Sequence, residues 1–117
     1  MPAYAIAYLR DVTFNADIIQ YMREIDSTLV PFGGEFLVHG GRKQPMEGDW
    51  GGDIVIIRFP DHAAALGWYE SADYQRILPL RTQNSASMAV IVEGVESGHT
   101  GTSMVDKMLS PSDLERQ

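Results

Sequence analysis

The sequence contains no cysteine among its 117 residues. This absence excludes disulfides, thiolate nucleophiles and the zinc or iron–sulfur sites that cysteines build. Long apolar runs are missing as well, since none reaches the roughly 18 residues of a membrane-spanning helix. The first residues also lack the basic segment and apolar run of a secretory signal. We therefore expect a cytoplasmic protein with no membrane partner.

Basic residues are scarce, because 9 Lys and Arg stand against 16 Asp and Glu and give a formal net charge of −7. So acidic a chain suits neither nucleic-acid phosphates nor an anionic membrane surface. Apolar residues still make up 44% of the chain, as in an ordinary globular protein. We expect one domain over residues 1–96, followed by a tail over residues 97–117 with a short helix that packs on the domain or on a partner subunit.

Short apolar and alternating runs predict four strands, at residues 4–9, 35–39, 53–59 and 87–94. A helical stripe between the first two strands ends near Val30, before Pro31. Asp61 is the expected N-cap of a second helix, and Asp73 that of a short turn over residues 74–78 that Pro79 closes. The order of these elements predicts an α+β, ferredoxin-like βαββαβ fold with a four-stranded antiparallel sheet.

The first, third and fourth strands are apolar on both faces, whereas the helices of a ferredoxin-like fold cover only one face of its sheet. The first strand, for example, places Tyr4, Ile6 and Tyr8 on the face opposite its alanines. A second copy of the sheet is the simplest cover. We therefore expect a homodimer, a dimeric α+β barrel; the alternative is a monomer whose tail covers the open face.

The three histidines, His39, His62 and His99, show no ligand spacing, and we expect neither a metal nor a cofactor. His39 ends an apolar strand, where strict alternation places it with Leu37 and opposite Phe36. Its imidazole suits a proton-transferring, catalytic role. The alternatives are a hydrogen-bonded residue at a strand end and the axial ligand of a haem.

Two charged residues and one aromatic residue outside the helices are further candidates. Arg58 lies inside an apolar strand and would bind a ligand anion or form a salt bridge, either across the dimer or with a neighbouring strand. Glu47 and Trp50 lie in the long loop over residues 40–52. Loops of this length are often functional, so Glu47 is a candidate general base and Trp50 a candidate lid. The alternative is a solvated loop with an anchoring tryptophan.

The densest cluster of candidate ligand-binding residues lies in the second helical region. It comprises Trp68, Tyr69, Ser71, Tyr74 and Arg81. Aromatic walls with a phenol and a guanidinium suit a pocket for a small, partly apolar anion. The alternative is that the aromatic residues belong to the core and that Arg81 is a helix-terminal charge.

The sequence resembles the family known as domain of unknown function 1330 over residues 3–95. The resemblance lies in these segments: Ala3-Tyr4-x-Ile6, Phe32-Gly33-Gly34-x-Phe36-Leu37-Val38, Glu47-Gly48-Asp49-Trp50, Phe59-Pro60, Trp68-Tyr69-x-Ser71-x-x-Tyr74, Pro79-Leu80-Arg81 and Val92-Glu93-Gly94. The family is similar to the dimeric α+β barrel superfamily, which includes cofactor-independent monooxygenases, haem proteins and stress-response proteins. The resemblance implies the same dimer and carries no activity.

We therefore expect a small-molecule pocket between the sheet and the helices that carry Trp68 and Arg81. As an enzyme, the protein would catalyse a cofactor-independent oxidation or isomerisation of a small anionic or enolic substrate. His39 or Glu47 would move the proton, while Arg81 and Tyr74 hold the substrate. The alternative is a non-catalytic ligand-binding or stress-associated protein.

Overall fold

The structure, a computed structural model, describes residues 1–109. Its strands are β1 (Ala3–Arg10), β2 (Glu35–His39), β3 (Asp53–Phe59) and β4 (Ala86–Glu93), and its α-helices are α1 (Ala16–Leu29), α2 (His62–Glu70), α3 (Ala72–Thr82) and α4 (Gly101–Met108). The strands form one antiparallel sheet in the order β2-β3-β1-β4. The predicted ferredoxin-like α+β fold is confirmed. Of the expected tail, residues 110–117 lie outside the described residues.

Side-chain caps begin the first two helices. Asn15 Oδ1 accepts a hydrogen bond from the Ile18 amide at 3.1 Å, and Asp61 Oδ1 accepts one from the Ala64 amide at 2.8 Å. Each cap satisfies an amide that the first turn of a helix leaves without a partner. Helix α1 continues into a single 3-10 turn, Val30–Phe32, which ends where Gly33 adopts a φ of 68°. The prediction for Asp61 is confirmed.

Helix α3 is longer than the short turn predicted from the sequence. Ser71, and not Asp73, caps it, since Ser71 Oγ accepts a hydrogen bond from the Tyr74 amide at 3.2 Å. Pro79 lies inside the helix and does not end it. Because Tyr74 and Arg81 are both buried on this helix, we infer that packing offsets the roughly 3 kcal/mol that an internal proline costs.

The core lies between one face of the sheet and the helices. Ile25 and Leu29, from the last two turns of α1, pack with Phe59 of β3 and with Trp68 of α2. Ile77 of α3 is fully buried in the same cluster. Helix α1 contributes Ile25 and Leu29 to this buried cluster, and Tyr21, one helix turn earlier, packs against it.

The other face of the sheet is apolar and open in this chain. Its central rows pair Ile6 of β1 with Ile56 of β3 and with Val90 of β4. Val90 is 55% exposed and Met88, in the next row, is 67% exposed. Apolar side chains at this density are unusual on a solvated surface, so this face is suited to be covered.

The approach of β2 to the core depends on a glycine. A Cβ atom on Gly34 would lie 2.8 Å from Leu29 Cδ2 and 2.8 Å from Phe59 Cε1. Because both side chains are buried, we expect Gly34→Ala to lower the free energy of unfolding by about 1–3 kcal/mol. Urea unfolding followed by tryptophan fluorescence measures this change.

Gly41→Ala is the matched control. Nothing lies within 4 Å of the position of its Cβ atom. Its free energy of unfolding should therefore stay within about 0.5 kcal/mol of the starting protein or rise slightly. Equal midpoints for the two alanine variants would contradict the close approach at Gly34.

Candidate functional site

A cavity of about 570 Å³ lies between the N-terminal half of α1 and the sheet. The sheet contributes small side chains, Ala5, Ala7 and Ala89, and α1 contributes Ile18 and Met22. Larger residues on these strand positions would fill the space below α1. The cavity therefore follows from the alanines that lie beneath α1.

The mouth of the cavity lies beside the loop that joins β1 to α1. Phe14 in this loop is 72% exposed and Met22 on α1 is 46% exposed, yet both line the cavity. The loop is attached to the end of α3, where the Thr13 amide donates to the Asn84 carbonyl at 2.8 Å. Asn15 Nδ2 also donates to Asn84 Oδ1 at 2.7 Å. These bonds hold the rim in place.

Two phenols and a guanidinium form the polar end of the cavity, beside α3 and β4. Tyr21 Oη and Tyr74 Oη are 2.6 Å apart and share a hydrogen bond. The Arg81 guanidinium carbon lies 5.9 Å from the centre of the Tyr21 ring. Arg81 Nη1 donates to Ser87 Oγ at 2.7 Å. Helix α3 thus supplies a phenol and a cation to the same end.

The charge of Arg81 is buried without a counter-charge. The two ion pairs of residues 1–109 join Arg58 to Glu35 and Arg76 to Glu24, so no carboxylate in this part of the chain pairs with Arg81. Burial opposes its charged form, but the oxygens of the neighbouring phenols outweigh that effect and raise its pKa. The guanidinium is therefore a permanent cation in an apolar cavity.

The neighbouring phenol does not neutralise this cation at pH 7. Burial, followed by the contact with Tyr74, raises the pKa of Tyr21 well above its usual range. Tyr21 therefore stays protonated. Because each phenol has one proton and one of them is shared within the pair, the other O–H remains to donate to a ligand. This end of the cavity can stabilise negative charge on an oxygen.

His39 reaches the opposite end of the cavity through a β-bulge. The register of β2 shifts between Phe36 and Val38, so that Phe36 pairs with Ile57 and His39 pairs with Val55. Both partners face the helices. The Phe36 and His39 rings accordingly stack, with centres 4.5 Å apart and planes at 13°. The expectation of strict alternation, with Phe36 and His39 on opposite faces, is wrong.

The aromatic cluster of α2 and α3 belongs both to the core and to the cavity wall. Trp68, which is 3% exposed, packs its ring on Tyr74 with ring centres 4.0 Å apart. Its indole Nε1 donates to Thr28 Oγ1 at 3.0 Å, which fixes the ring against α1. Trp68, Tyr69 and Tyr74 line the cavity. Ser71 does not line it and acts as the helix cap described above.

Arg58 lies on the open face of the sheet. It is opposite Tyr4 on β1 and opposite Glu35 on β2. Its Nη1 atom is 3.5 Å from Glu35 Oε1, and both side chains are well exposed. Arg58 therefore takes part in the salt bridge to a neighbouring strand that was its alternative role, and it does not line the cavity.

The long loop is held on the open side of the sheet as well. The Trp50 ring meets the Tyr8 ring edge-on at 5.9 Å, and its Nε1 donates to the Glu47 carbonyl at 2.7 Å. Lys43 Nζ donates to the Trp50 and Gly52 carbonyls. Because Tyr8 faces away from the helices, neither Trp50 nor Glu47 lines this cavity. The structure thus places Glu47 and Trp50, the candidate base and lid, in an anchored loop on the other side of the sheet from the cavity.

The sequence interpretation overlooked Tyr21 and Asp53 as cavity residues. Tyr21 lies three residues after Ile18 and four before Ile25, so its spacing places it on the buried face of α1. That signal was present in the sequence. Asp53 begins β3, two residues before Val55 and on the same face. Its place at the cavity follows from the pairing of strands and not from its neighbours in sequence.

Among residues 1–109, no group of three or more His, Asp or Glu side chains is close enough to hold a metal ion. None of the described helices has the length and apolar character that crossing a membrane requires.

Solved structures with the same fold are distant in sequence. A dimeric ferredoxin-like protein of unknown function from Jannaschia sp. CCS1 is 15% identical with a TM-score of 0.64, covering 80% of this chain and 100% of that one. A protein of unknown function from Rhodopseudomonas palustris is 16% identical with a TM-score of 0.60, covering 81% and 83%. SnoaB, a cofactor-independent oxygenase from Streptomyces nogalater, is 11% identical with a TM-score of 0.58, covering 85% and 98%. These similarities show the fold.

Sequence comparison gives the family. No match was found among curated proteins. The family model described as Domain of unknown function (DUF1330) matches residues 2–95, the part of the chain that forms the sheet and helices α1 to α3. Because this match covers most of the chain and agrees with the resemblance seen in the sequence, the protein belongs to the DUF1330 family.

Proposed function

We propose that this protein binds a small organic anion in the cavity below α1, with the acidic or enolic oxygen at Arg81. The observation that carries this proposal is a buried guanidinium, 5% exposed, that has no carboxylate partner among residues 1–109. A buried cation of this kind is costly unless an anion pairs with it. A planar guanidinium offers the donors that a carboxylate or enolate accepts.

The walls of the cavity indicate the rest of the ligand. Apart from the phenols, Arg81, His39 and Asp53, the cavity is lined mostly by aliphatic and aromatic side chains. Pockets of this composition bind largely apolar molecules and orient them by a few polar groups. The ligand is therefore a mainly apolar molecule with one acidic oxygen that enters the deep end.

As an enzyme, the protein would catalyse a cofactor-independent isomerisation, or an oxidation in which molecular oxygen is the oxidant. Both reactions begin when a proton leaves the substrate and an enolate forms. Arg81 and the free phenolic O–H would stabilise that enolate. His39, at the other end of the cavity, is the proposed proton acceptor for a substrate whose two ends are joined by a conjugated system, because loss of the distant proton then places negative charge on the oxygen at Arg81. SnoaB and an antibiotic biosynthesis monooxygenase with a TM-score of 0.52 share this fold.

We also propose that a second copy covers the open face of the sheet, in the cytoplasm as expected from the sequence. The exposed Met88 and Val90 support this assembly, as do structural neighbours from Jannaschia sp. CCS1 and Thermobifida fusca that are described as dimeric. In such a pair the cavities lie on the outer sides of the two sheets. Each subunit then keeps its own ligand site.

Arg81→Lys should weaken anion binding while it leaves the fold intact. The probe is 2-hydroxy-1,4-naphthoquinone, an enolic acid that is ionised at neutral pH and can be followed by its visible absorbance. Lysine keeps the charge but loses the fork of donors, so affinity should fall by about 1–3 kcal/mol. Arg76→Lys, in the exposed ion pair with Glu24, should leave the affinity unchanged.

Ala7→Leu tests the position of the ligand independently of charge. A leucine at this position projects into the cavity, so binding of the same probe should be lost with Arg81 still present.

Unchanged affinity in Arg81→Lys together with a lowered melting temperature would make Arg81 a structural residue and would overturn the proposal. Product analysis after incubation in air then separates an enzyme from a protein that holds its ligand without turnover.

Light scattering should give about twice the 13.0 kDa mass of one chain. Met88→Asp, on the open face, should shift the protein towards the monomer, because a buried carboxylate without a partner is strongly unfavourable. Val30→Asp is the control, since Val30 is 76% exposed at the end of α1 and away from that face. A wild-type monomer at micromolar concentration would contradict the proposed dimer.

A further inference from the structure

The cavity has polar groups at two ends, one at Arg81 and one at His39. The mechanism proposed above uses the end at His39, here called the second end, only for the transfer of a proton. Arg81 is bonded to Ser87 on β4, which is one edge of the sheet. His39 lies on β2, which is the other edge. Strands β3 and β1 lie between them, so His39 is three strand spacings, or about 14 Å, from Ser87. Asp53 of β3 is in register with Leu9 and Ser87 and is two spacings from Ser87.

The end at β2 offers hydrogen-bond acceptors. Asp53 shares the cavity face of β3 with Val55, the partner of His39, so the Asp53 and His39 side chains are diagonal neighbours across two strands. Neither side chain has a hydrogen-bond partner within residues 1–109, and both are exposed at the cavity. A carboxylate and a neutral imidazole nitrogen both accept hydrogen bonds.

The two ends differ in charge and in solvent access. The end at Arg81 is deep, buried and cationic, whereas the end at Asp53 and His39 is open and carries a carboxylate. Side chains between them, such as Ala7 and Val55, are apolar. An elongated molecule would therefore place its acidic end at Arg81 and its other end at the acceptors.

We propose that the ligand is an elongated, mainly apolar acid whose far end carries a hydrogen-bond donor, an amino or hydroxyl group, that Asp53 and His39 bind. This inference rests on the anion site at Arg81 and adds to it the length and the second polar group of the ligand. Asp53 and His39 are then the residues that select ligands by length and by terminal group.

Isothermal titration calorimetry with a set of simple probes at pH 7.5 tests the inference. The probes are 10-aminodecanoate, decanoate, sebacate and 5-aminopentanoate. The ten-carbon chains are about as long as three strand spacings, whereas 5-aminopentanoate reaches only one end. We expect 10-aminodecanoate to bind roughly fivefold or more tightly than decanoate, and sebacate and 5-aminopentanoate to bind more weakly than both.

Variants then assign this preference to residues. Asp53→Asn and His39→Phe should each reduce the preference for the amino probe over decanoate towards equality, while decanoate affinity stays nearly constant. The His39→Phe variant keeps an aromatic ring to stack on Phe36. Glu47→Gln is the matched control, because it removes one negative charge on the other side of the sheet and should leave the preference intact.

The outcomes separate this inference from the proposed function. If the binding of long acids depends on Arg81 but not on Asp53 or His39, the proposed binding role of the second end is overturned and the anion site stays in place. The role of the second end is also overturned, and the anion site kept, if decanoate binds as tightly as 10-aminodecanoate. If no probe binds, or if Arg81→Met binds the long probes as the starting protein does, the anion site itself is overturned and the second end with it.

Discussion

The structure depends on the packing of one end of α1 against Phe59 and Trp68. Ile25 and Leu29 anchor that end, and the Trp68 indole bonds to Thr28 on the same helix turn. Towards its other end, α1 lies above the alanines of β1 and β4, which leave space between the helix and the sheet. That space is the cavity. The position of the candidate site is thus a consequence of where large and small side chains fall along β1 and α1.

Arg81 gives this cavity its chemical character. A void lined only by aliphatic groups would favour apolar molecules of any kind. In the proposed function, a buried guanidinium with phenols and a serine as its neighbours would add a requirement for negative charge. The net charge of −7 repels anions at long range, so the selectivity of the proposed site would have to arise from contacts at short range. Ser87 Oγ accepts a hydrogen bond from Arg81 and would hold the guanidinium in place for that contact.

The sequence predicted the strands, the ferredoxin-like order and the apolar second face, because each depends on the period of apolar residues. It also pointed to Arg81 and Tyr74, which helical spacing placed on one side of α3. The face on which His39 lies and the position of Trp50 could not be predicted from the sequence, because both depend on pairing between distant segments. A bulge adds one residue to β2 with no change in composition, and that single residue reverses the face of His39. The face that holds Trp50 is likewise set by its contact with Tyr8.

Pro79 illustrates a second limit. A proline usually marks the end of a helix in sequence, yet α3 continues to Thr82 because Arg81 and Ile77 are buried on it. Tertiary packing here outweighs local preference. Such competition cannot be judged from a window of neighbouring residues, since the partners of α3 come from α1 and β4.

The bulge in β2 also affects how copies of this protein meet. Strand β2 is an outer strand of the sheet, and a regular outer strand offers unpaired backbone groups to any other chain. The shift between Phe36 and Val38 interrupts that row of donors and acceptors and twists the edge. Growth of the sheet sideways into fibres is therefore hindered at the edge that presents His39. Association through the apolar face is still possible, and it stops at a dimer because one partner covers that face.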